Sequence, residues 1–260
     1  MTRAALALCA IAAAAAGAVA AAPGSRAPKV DSNALGALPR PVRPAFVPGR
    51  PRPLGSTRYL SSYAPVLRAA VARASPRSDA AAVTRVQTQT PEGTTNIVAV
   101  LGRRRDAGGR LWVKANLATL PNGRAGWLPR SVLGGYGIVD THLVVDLERL
   151  TATLTKAGRV IFRARVAVGQ PRWPTPRGRF YVRNRLTRFA GPTYGPIAFG
   201  TSARSEHLTD WPDGGFVGIH GTDQPQLIPG RVSHGCIRMR NADILALARR
   251  MPIGTPLTIR

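Results

Sequence analysis

A cysteine and two histidines near the C-terminal end of the sequence are the residues best suited to covalent chemistry. His220 lies in GIHGTDQ, whereas His234 and Cys236 lie in RVSHGCIRMR; the only other cysteine is Cys9. A cysteine attacks as thiolate, and its ordinary pKa of about 8.5 must be lowered by a cation, an imidazolium or a helix N-terminus. His220, His234 and Arg238 are candidates for that role. The pattern predicts a nucleophilic thiol that stays ionised below the ordinary pKa.

The residues around this cysteine suggest how a reaction intermediate could be stabilised. Gly235 allows the backbone to approach a substrate closely. We predict that the amide N–H groups of Gly235 and Cys236 turn toward a developing oxyanion. Zinc is the less favoured alternative, because the sequence lacks the helical histidine pair or Cys-x-x-Cys spacing typical of zinc sites. We therefore predict no metal and no cofactor, and we interpret His142 and His207 as structural.

The segment GIHGTDQPQLIPGRVSHGCIRMRNADI resembles the signature of L,D-transpeptidase catalytic domains, the YkuD-like family. That signature is a His-Gly pair and a spacer, followed by Ser-His-Gly-Cys and an Arg or Asn. The resemblance covers about Thr141 to Arg260 and includes VAVGQPRWPTPRGRFYV. It implies a β-rich catalytic fold and a cysteine-dependent acyltransferase that acts on peptidoglycan stem peptides without a cofactor.

The resemblance also implies a role for each residue of the motif. Cys236 would be the nucleophile, and His220 would be the base that takes its proton. The carbonyl of Gly221 would orient the imidazole, and Arg238 would bind the substrate carboxylate or hold the loop. The remaining positions, which would support the oxyanion and the orientation of the loop, are Ser233, His234 and Gly235.

The implied reaction has two steps. The thiolate attacks the carbonyl of the third residue of a tetrapeptide stem, releases D-Ala and leaves a thioester. An amine of a second stem then attacks the thioester and forms a 3→3 cross-link. The sequence leaves two alternatives open: an L,D-carboxypeptidase that uses water as acceptor, and a catalytically idle wall-binding protein. The family is also one that carbapenems acylate.

Periodicity and turn signals indicate a mostly β protein with one or two short helices. The segment HLVVDLERLTATLT is expected to pair with GRVIFRARVAVG, turning at Lys156-Ala157-Gly158. RWPTPRGRFYV, GPIAFG, GFVGIHG and TPLTIR predict further strands. NADILALARRM predicts a helix with Asn241 as its N-cap. This region, 141–260, is the predicted catalytic domain.

A second, smaller β domain is predicted at 63–135. TRVQTQT, NIVAVLG, RLWVKANL and RAGWLPRSVL are separated by the turn clusters PEGT, DAGG and PNG. LPNGRAGWLPRSVL resembles bacterial SH3-like modules, so we expect a small SH3-like barrel with Trp112 and Trp127 in its core. YAPVLRAAVARA, from Tyr63 to Ala74, is compatible with a short helix. Since the motif residues all follow His220, the catalytic domain is expected to be acylated without the barrel.

The N-terminal segments and the charge indicate export. Residues 1–22 combine Arg3, an uncharged apolar run and an A-x-A cleavage site, which is typical of a signal peptide; a retained anchor helix is the alternative. Residues 23–58 are rich in Pro and Arg and predict a disordered tether. The formal net charge is +25. We predict a cell-wall-associated extracytoplasmic protein that contacts anionic wall polymers rather than nucleic acid, although arginine abundance could also reflect genome composition.

Overall fold

A computed structural model describes residues 59–187, 192–208 and 215–260. The predicted signal peptide, the predicted tether and Cys9 lie outside the described residues. Among the helices that are described, none has the length and apolar character needed to cross a membrane.

The described chain begins with a seven-stranded antiparallel sheet, ordered β3-β2-β6-β5-β4-β1-β7. Its own hydrophobic core includes Val66, Val98, Val113 and Leu128. A single 3-10 turn, Arg130–Val132, precedes the last strand. The identification of this sheet as SH3-like stays a prediction. The strands are β1 Ser61–Pro65, β2 Ala70–Arg73, β3 Ala82–Val86, β4 Ile97–Arg105, β5 Leu111–Asn116, β6 Ala125–Pro129 and β7 Gly137–Val139.

Two expectations for this sheet were wrong. The segment 63–74 forms parts of β1 and β2 instead of a helix. Pro65 would interrupt a helix, whereas as the last residue of β1 it stands opposite Ile97 of β4. Trp112 is buried, with Nε1 donating to Asp106 Oδ2 at 2.8 Å, but Trp127 is only half-buried. Successive strand residues face opposite sides, and in β6 the neighbours of Trp127 occupy the buried face.

A ten-stranded mixed sheet follows, ordered β10-β9-β8-β17-β12-β13-β14-β16-β11-β15. The predicted turn at 156–158 is confirmed, with positive φ at both Ala157 and Gly158, as a type I′ hairpin requires. The mostly β class is confirmed as well. The strands are β8 Thr141–Asp146, β9 Thr151–Lys156, β10 Arg159–Arg165, β11 Ala167–Gly169, β12 Gly178–Leu186, β13 Ala198–Arg204, β14 Phe216–His220, β15 Gly230–Ser233, β16 Ile237–Arg238 and β17 Pro256–Ile259.

The helix α1, Asn241–Ala248, packs on this sheet through Ile244 and Leu247. Its N-cap is Arg240, so the predicted cap is displaced by one residue. Asn241 makes a different contact: its Oδ1 accepts a hydrogen bond from the Thr222 N–H at 2.9 Å. The side chain therefore ties the start of the helix to the loop after β14.

Parallel pairing in the middle of the sheet brings the two motif segments together. β14 pairs in parallel with β16, with Ile219 opposite Ile237 and His220 opposite Arg238. β14 ends at His220, and β16 begins directly after Cys236. The register thus makes the histidine and the cysteine spatial neighbours despite the long connection between them.

Candidate active site

A cavity of about 260 Å³ lies beside the ends of β14 and β16. Tyr194 and Phe216 form part of its wall. Gly221 and Gly235 are not among the residues that line the cavity. The predicted site residues whose side chains line it are His220, Ser233, His234, Cys236 and Arg238.

His220 is buried in the wall of this cavity, with 3% of its surface exposed. Its Nδ1 lies 2.6 Å from the Gly221 carbonyl oxygen, the contact expected from the motif. Because a carbonyl only accepts, Nδ1 carries the proton, and Nε2 has a lone pair available to take another. Burial lowers the pKa of His220 to about 4, the Gly221 hydrogen bond opposes this shift, and the Arg238 charge adds to it. The imidazole is therefore neutral at pH 7.

Cys236 is half-buried and lies next to Gly218. A Cβ placed on Gly218 would lie 3.7 Å from His220 Cδ2 and 3.8 Å from Cys236 Sγ, so both side chains border the same point. The Gly218 N–H also donates to the sulfur, at 3.3 Å. This backbone contact comes from the neighbouring strand, and no local sequence pattern predicts it.

The protonation state of the thiol differs from the sequence-based expectation. Burial raises the pKa of Cys236, while the Gly218 N–H and the Arg238 charge lower it by less. His220 supplies no compensating positive charge, because it is neutral. The direction of this shift favours the protonated thiol and opposes the expectation of a thiolate that persists below the ordinary pKa.

Hydrogen bonds fix the loop from Ser233 to Cys236. Ser233 Oγ donates to the Cys236 carbonyl at 2.6 Å and accepts from the Gly235 N–H at 3.1 Å. The Gly235 N–H is therefore engaged within the loop, which argues against it as a donor to the oxyanion. The Cys236 N–H remains the predicted donor. Gly235 has φ of 112°, a conformation that favours glycine and explains its place in the motif.

Thr175 holds this loop from outside and was missed in the sequence. Its buried Oγ1 donates to the Gly235 carbonyl at 2.8 Å and accepts from the Gly169 N–H at 2.9 Å. The threonine lies within RWPTPRGRFYV, but nothing in the spacing of that segment indicates a contact with residues so much later in the chain. One hydroxyl therefore connects β11, the segment before β12 and the cysteine loop.

The two remaining motif side chains have different environments. His234 is exposed and its ring packs on Trp173, with centroids 4.2 Å apart. Arg238 is half-buried, and among the described residues its Nε is a buried nitrogen without a hydrogen-bond partner. A buried guanidinium donor of this kind is suited to a carboxylate ligand.

The described residues also include possible metal ligands. Within 59–187, 192–208 and 215–260, no three His, Cys, Asp or Glu side chains converge in a way that could hold an ion.

Known proteins are similar to the region that contains this cavity. Residues 140–259 match the family model of the L,D-transpeptidase catalytic domain, YkuD. The Bacillus subtilis protein named as L,D-transpeptidase YkuD is 39% identical over 121 residues, which cover 46% of this chain and 66% of that protein. Its Bacillus licheniformis counterpart is 38% identical over the same shares. The chain thus spans just under two thirds of the length of these curated relatives.

One of the similar solved structures is that of an isolated catalytic domain. The catalytic domain of the Enterococcus faecium L,D-transpeptidase, determined by NMR, is 30% identical, and the match covers 46% of this chain and 97% of that domain with a TM-score of 0.35. The family model and the curated relatives agree that residues 140–259 are similar to the L,D-transpeptidase catalytic domain of the YkuD family.

Proposed function

We propose that this protein is a peptidoglycan L,D-transpeptidase that uses Cys236 as its nucleophile. The observation that carries the proposal is the arrangement around Gly218, where the cysteine sulfur and the imidazole of His220 border one cavity. The imidazole is neutral and its Nδ1 proton is held by Gly221, so Nε2 is ready to act as a base.

In the first step, Nε2 of His220 accepts the thiol proton while the sulfur attacks the carbonyl of the third stem residue. The Gly218 N–H stabilises the charge that develops on sulfur, and the Cys236 N–H is the proposed donor to the oxyanion. Arg238 binds the substrate carboxylate. When the tetrahedral intermediate collapses, the amide C–N bond breaks and the imidazolium protonates the departing amine of D-Ala. A thioester remains on Cys236.

In the second step, the amine of a second stem peptide attacks the thioester carbonyl. His220, neutral again, removes a proton from that amine, and the released sulfur recovers a proton from the imidazolium. The product is a 3→3 cross-link. Because the thioester retains the acyl-transfer potential of the cleaved amide, the reaction requires neither ATP nor a cofactor.

Intact-mass analysis after incubation with a defined tetrapeptide stem tests this proposal. We expect an adduct of one tripeptide acyl group, located on the peptide that contains Cys236, followed by a cross-linked dimer. A carbapenem should likewise add one equivalent at Cys236. Cys236→Ala is the control, and an adduct that persists in it would refute the assignment of the nucleophile. Release of free tripeptide without dimer would instead identify an L,D-carboxypeptidase.

We also propose that the protein is exported and retained on the cell wall. The formal net charge of +25 and the features of residues 1–22 support this. Attraction between exposed charges is screened by salt, so retention on isolated sacculi should fall as salt is raised from about 0.01 to 1 M. Retention that does not respond to salt would exclude an electrostatic contact with wall polymers.

A further inference from the structure

A buried arginine that the proposed reaction does not use links the two sheets. Arg183, in β12, has 2% of its side chain exposed. Its Nε donates to the Thr201 carbonyl at 2.7 Å, and its Nη2 donates to Glu92 Oε1 at 2.9 Å. Glu92 lies in the loop between β3 and β4, so the carboxylate that neutralises this arginine comes from the seven-stranded sheet.

Glu92 is held firmly in place. Its second oxygen, Oε2, accepts from Asn184 Nδ2 at 3.0 Å, and Asn184 Nδ2 also lies 2.9 Å from Thr94 Oγ1. The loop itself is closed by hydrogen bonds from the Thr90 N–H to the Thr94 carbonyl and from the Gly93 N–H to the Thr90 carbonyl. Burial opposes ionisation of Glu92, but the Arg183 charge and hydrogen bonds from the Thr90 side chain, the Glu92 backbone and the Asn184 side chain bring its pKa below the usual range. The ion pair between buried Arg183 and partly buried Glu92 is therefore charged and oriented by its neighbours.

The other face of Arg183 points to the catalytic cavity. Its guanidinium carbon lies 3.8 Å from the centroid of the Phe216 ring, and Phe216 lines the cavity together with His220 and Cys236. A desolvated guanidinium over an aromatic face is a strong form of cation–π contact. The position of this wall thus depends on the position of Arg183.

A second contact between the sheets reaches the same ring. Asn122, in the loop between β5 and β6, donates from Nδ2 to the Arg204 carbonyl at 2.7 Å and accepts from the Arg204 N–H at 2.9 Å. The Arg204 guanidinium carbon lies 5.0 Å from the Phe216 centroid. Two loops of the seven-stranded sheet therefore hold the two arginines that flank Phe216.

We propose that Glu92 is a positioning residue for the catalytic cavity, acting through Arg183 on Phe216. The seven-stranded sheet then helps to position the wall of the catalytic cavity, in addition to any role in wall binding. This inference rests on the proposed function for its substrate, a peptidoglycan stem peptide bound against Phe216.

Glu92→Gln in the full-length protein tests the proposal. The amide keeps the shape but removes the charge that fixes Arg183, so KM for the tetrapeptide should rise about 5-fold to 20-fold while kcat changes less than about 2-fold. Glu92→Asp retains the charge and should recover part of the loss. Glu148→Gln is the matched control, because Glu148 forms an exposed ion pair with Arg177 at 3.5 Å and should leave KM unchanged. An unchanged KM in Glu92→Gln, or equal losses in kcat and kcat/KM, would overturn the proposal.

A second readout does not require activity. Alkylation at the Cys236 peptide is followed with a small and a bulky neutral thiol reagent, at a temperature at which circular dichroism shows native protein. If Phe216 is released in Glu92→Gln, the cavity should admit the bulky reagent more readily. The ratio of the alkylation rate with the bulky reagent to that with the small reagent should then rise about 3-fold or more. If Glu92→Gln is unfolded, the ratio is measured in Glu92→Asp, where a smaller rise is expected. An unchanged ratio refutes the positioning role, whereas absence of tetrapeptide turnover in the wild type refutes only the proposed function.

Discussion

The imidazole of His220 is neutral because its burial penalises the charged form more than the Gly221 carbonyl favours it. The neutral ring suits a general base that takes the proton during attack, whereas a preformed thiolate would need an imidazolium beside it. At the scale of single residues, the proposed attack therefore couples proton transfer to bond formation. The Gly218 N–H contributes by stabilising charge on sulfur only as that charge develops.

The pH dependence of alkylation tests this protonation state. A small neutral reagent should react slowly with Cys236 at pH 6 to 7, and its rate should rise only above the ordinary thiol pKa of about 8.5, because burial raises the pKa of this thiol. The Cys236 thiol reacts after it loses its proton, and it loses this proton as the pH rises. A raised pKa therefore moves the curve of alkylation rate against pH to higher pH. A plateau reached below pH 7 would show that a thiolate–imidazolium pair is already present.

Acylation by the stem peptide should respond to the histidines in different ways. His220→Ala should reduce the acylation rate by about 10² to 10⁴, the usual consequence of losing a general base. His234→Ala should reduce it much less, since that ring is exposed and packs on Trp173. Acyl-enzyme formation followed by mass provides the measurement. The opposite order of effects would assign the base to His234.

At the scale of elements, the cysteine loop is positioned by hydrogen bonds from segments on both sides of it. Thr175→Val preserves the shape of the side chain but leaves the Gly235 carbonyl and the Gly169 N–H without their buried partner. Each unsatisfied group costs about 1–3 kcal/mol, so we expect a lower midpoint of thermal unfolding and slower acylation. Thr175→Ser keeps the hydroxyl and is the control. A valine variant with wild-type stability and rate would show that the loop holds itself in place.

At the scale of the whole molecule, contacts between the sheets bear on the prediction that the catalytic domain is acylated without the first sheet. Arg183 is paired with Glu92, and the buried Tyr181 hydroxyl donates to the Ile97 carbonyl at 3.0 Å. A fragment of residues 141–260 would lose both partners. Loss of the ion pair and of this hydrogen bond, together with exposure of the Arg183 and Tyr181 side chains that are buried in the full chain, should lower the stability of the fragment.

We therefore expect the 141–260 fragment to unfold at lower denaturant concentration than the full chain and to be acylated by a carbapenem more slowly. A fragment of residues 59–260, which keeps both sheets, should match the full chain in both measurements. Equal stability and equal acylation rates for the two fragments would show that the contacts between the sheets are dispensable.

Local patterns in the sequence were sufficient to predict the strands and to identify the motif residues. Alternating side chains predict β8 to β10, and Ala157-Gly158 supplies the turn between two of these strands, because both features depend only on neighbouring residues. The resemblance of the His-Gly pair and the Ser-His-Gly-Cys run to the L,D-transpeptidase signature likewise implies acyl transfer without knowledge of the fold. The same local reasoning failed for residues 63–74, where pairing with distant strands decides the conformation.

Only the tertiary structure decided how these residues are protonated and held. Gly218 and Cys236 are 18 positions apart in the sequence, and Thr175 and Gly235 are 60 positions apart. Glu92 and Arg183 are separated by 91 positions. No local pattern encodes such pairs, since they arise when the strands associate. The neutral state of His220 and the raised pKa of Cys236 follow from burial, which is a property of the folded chain and not of any segment.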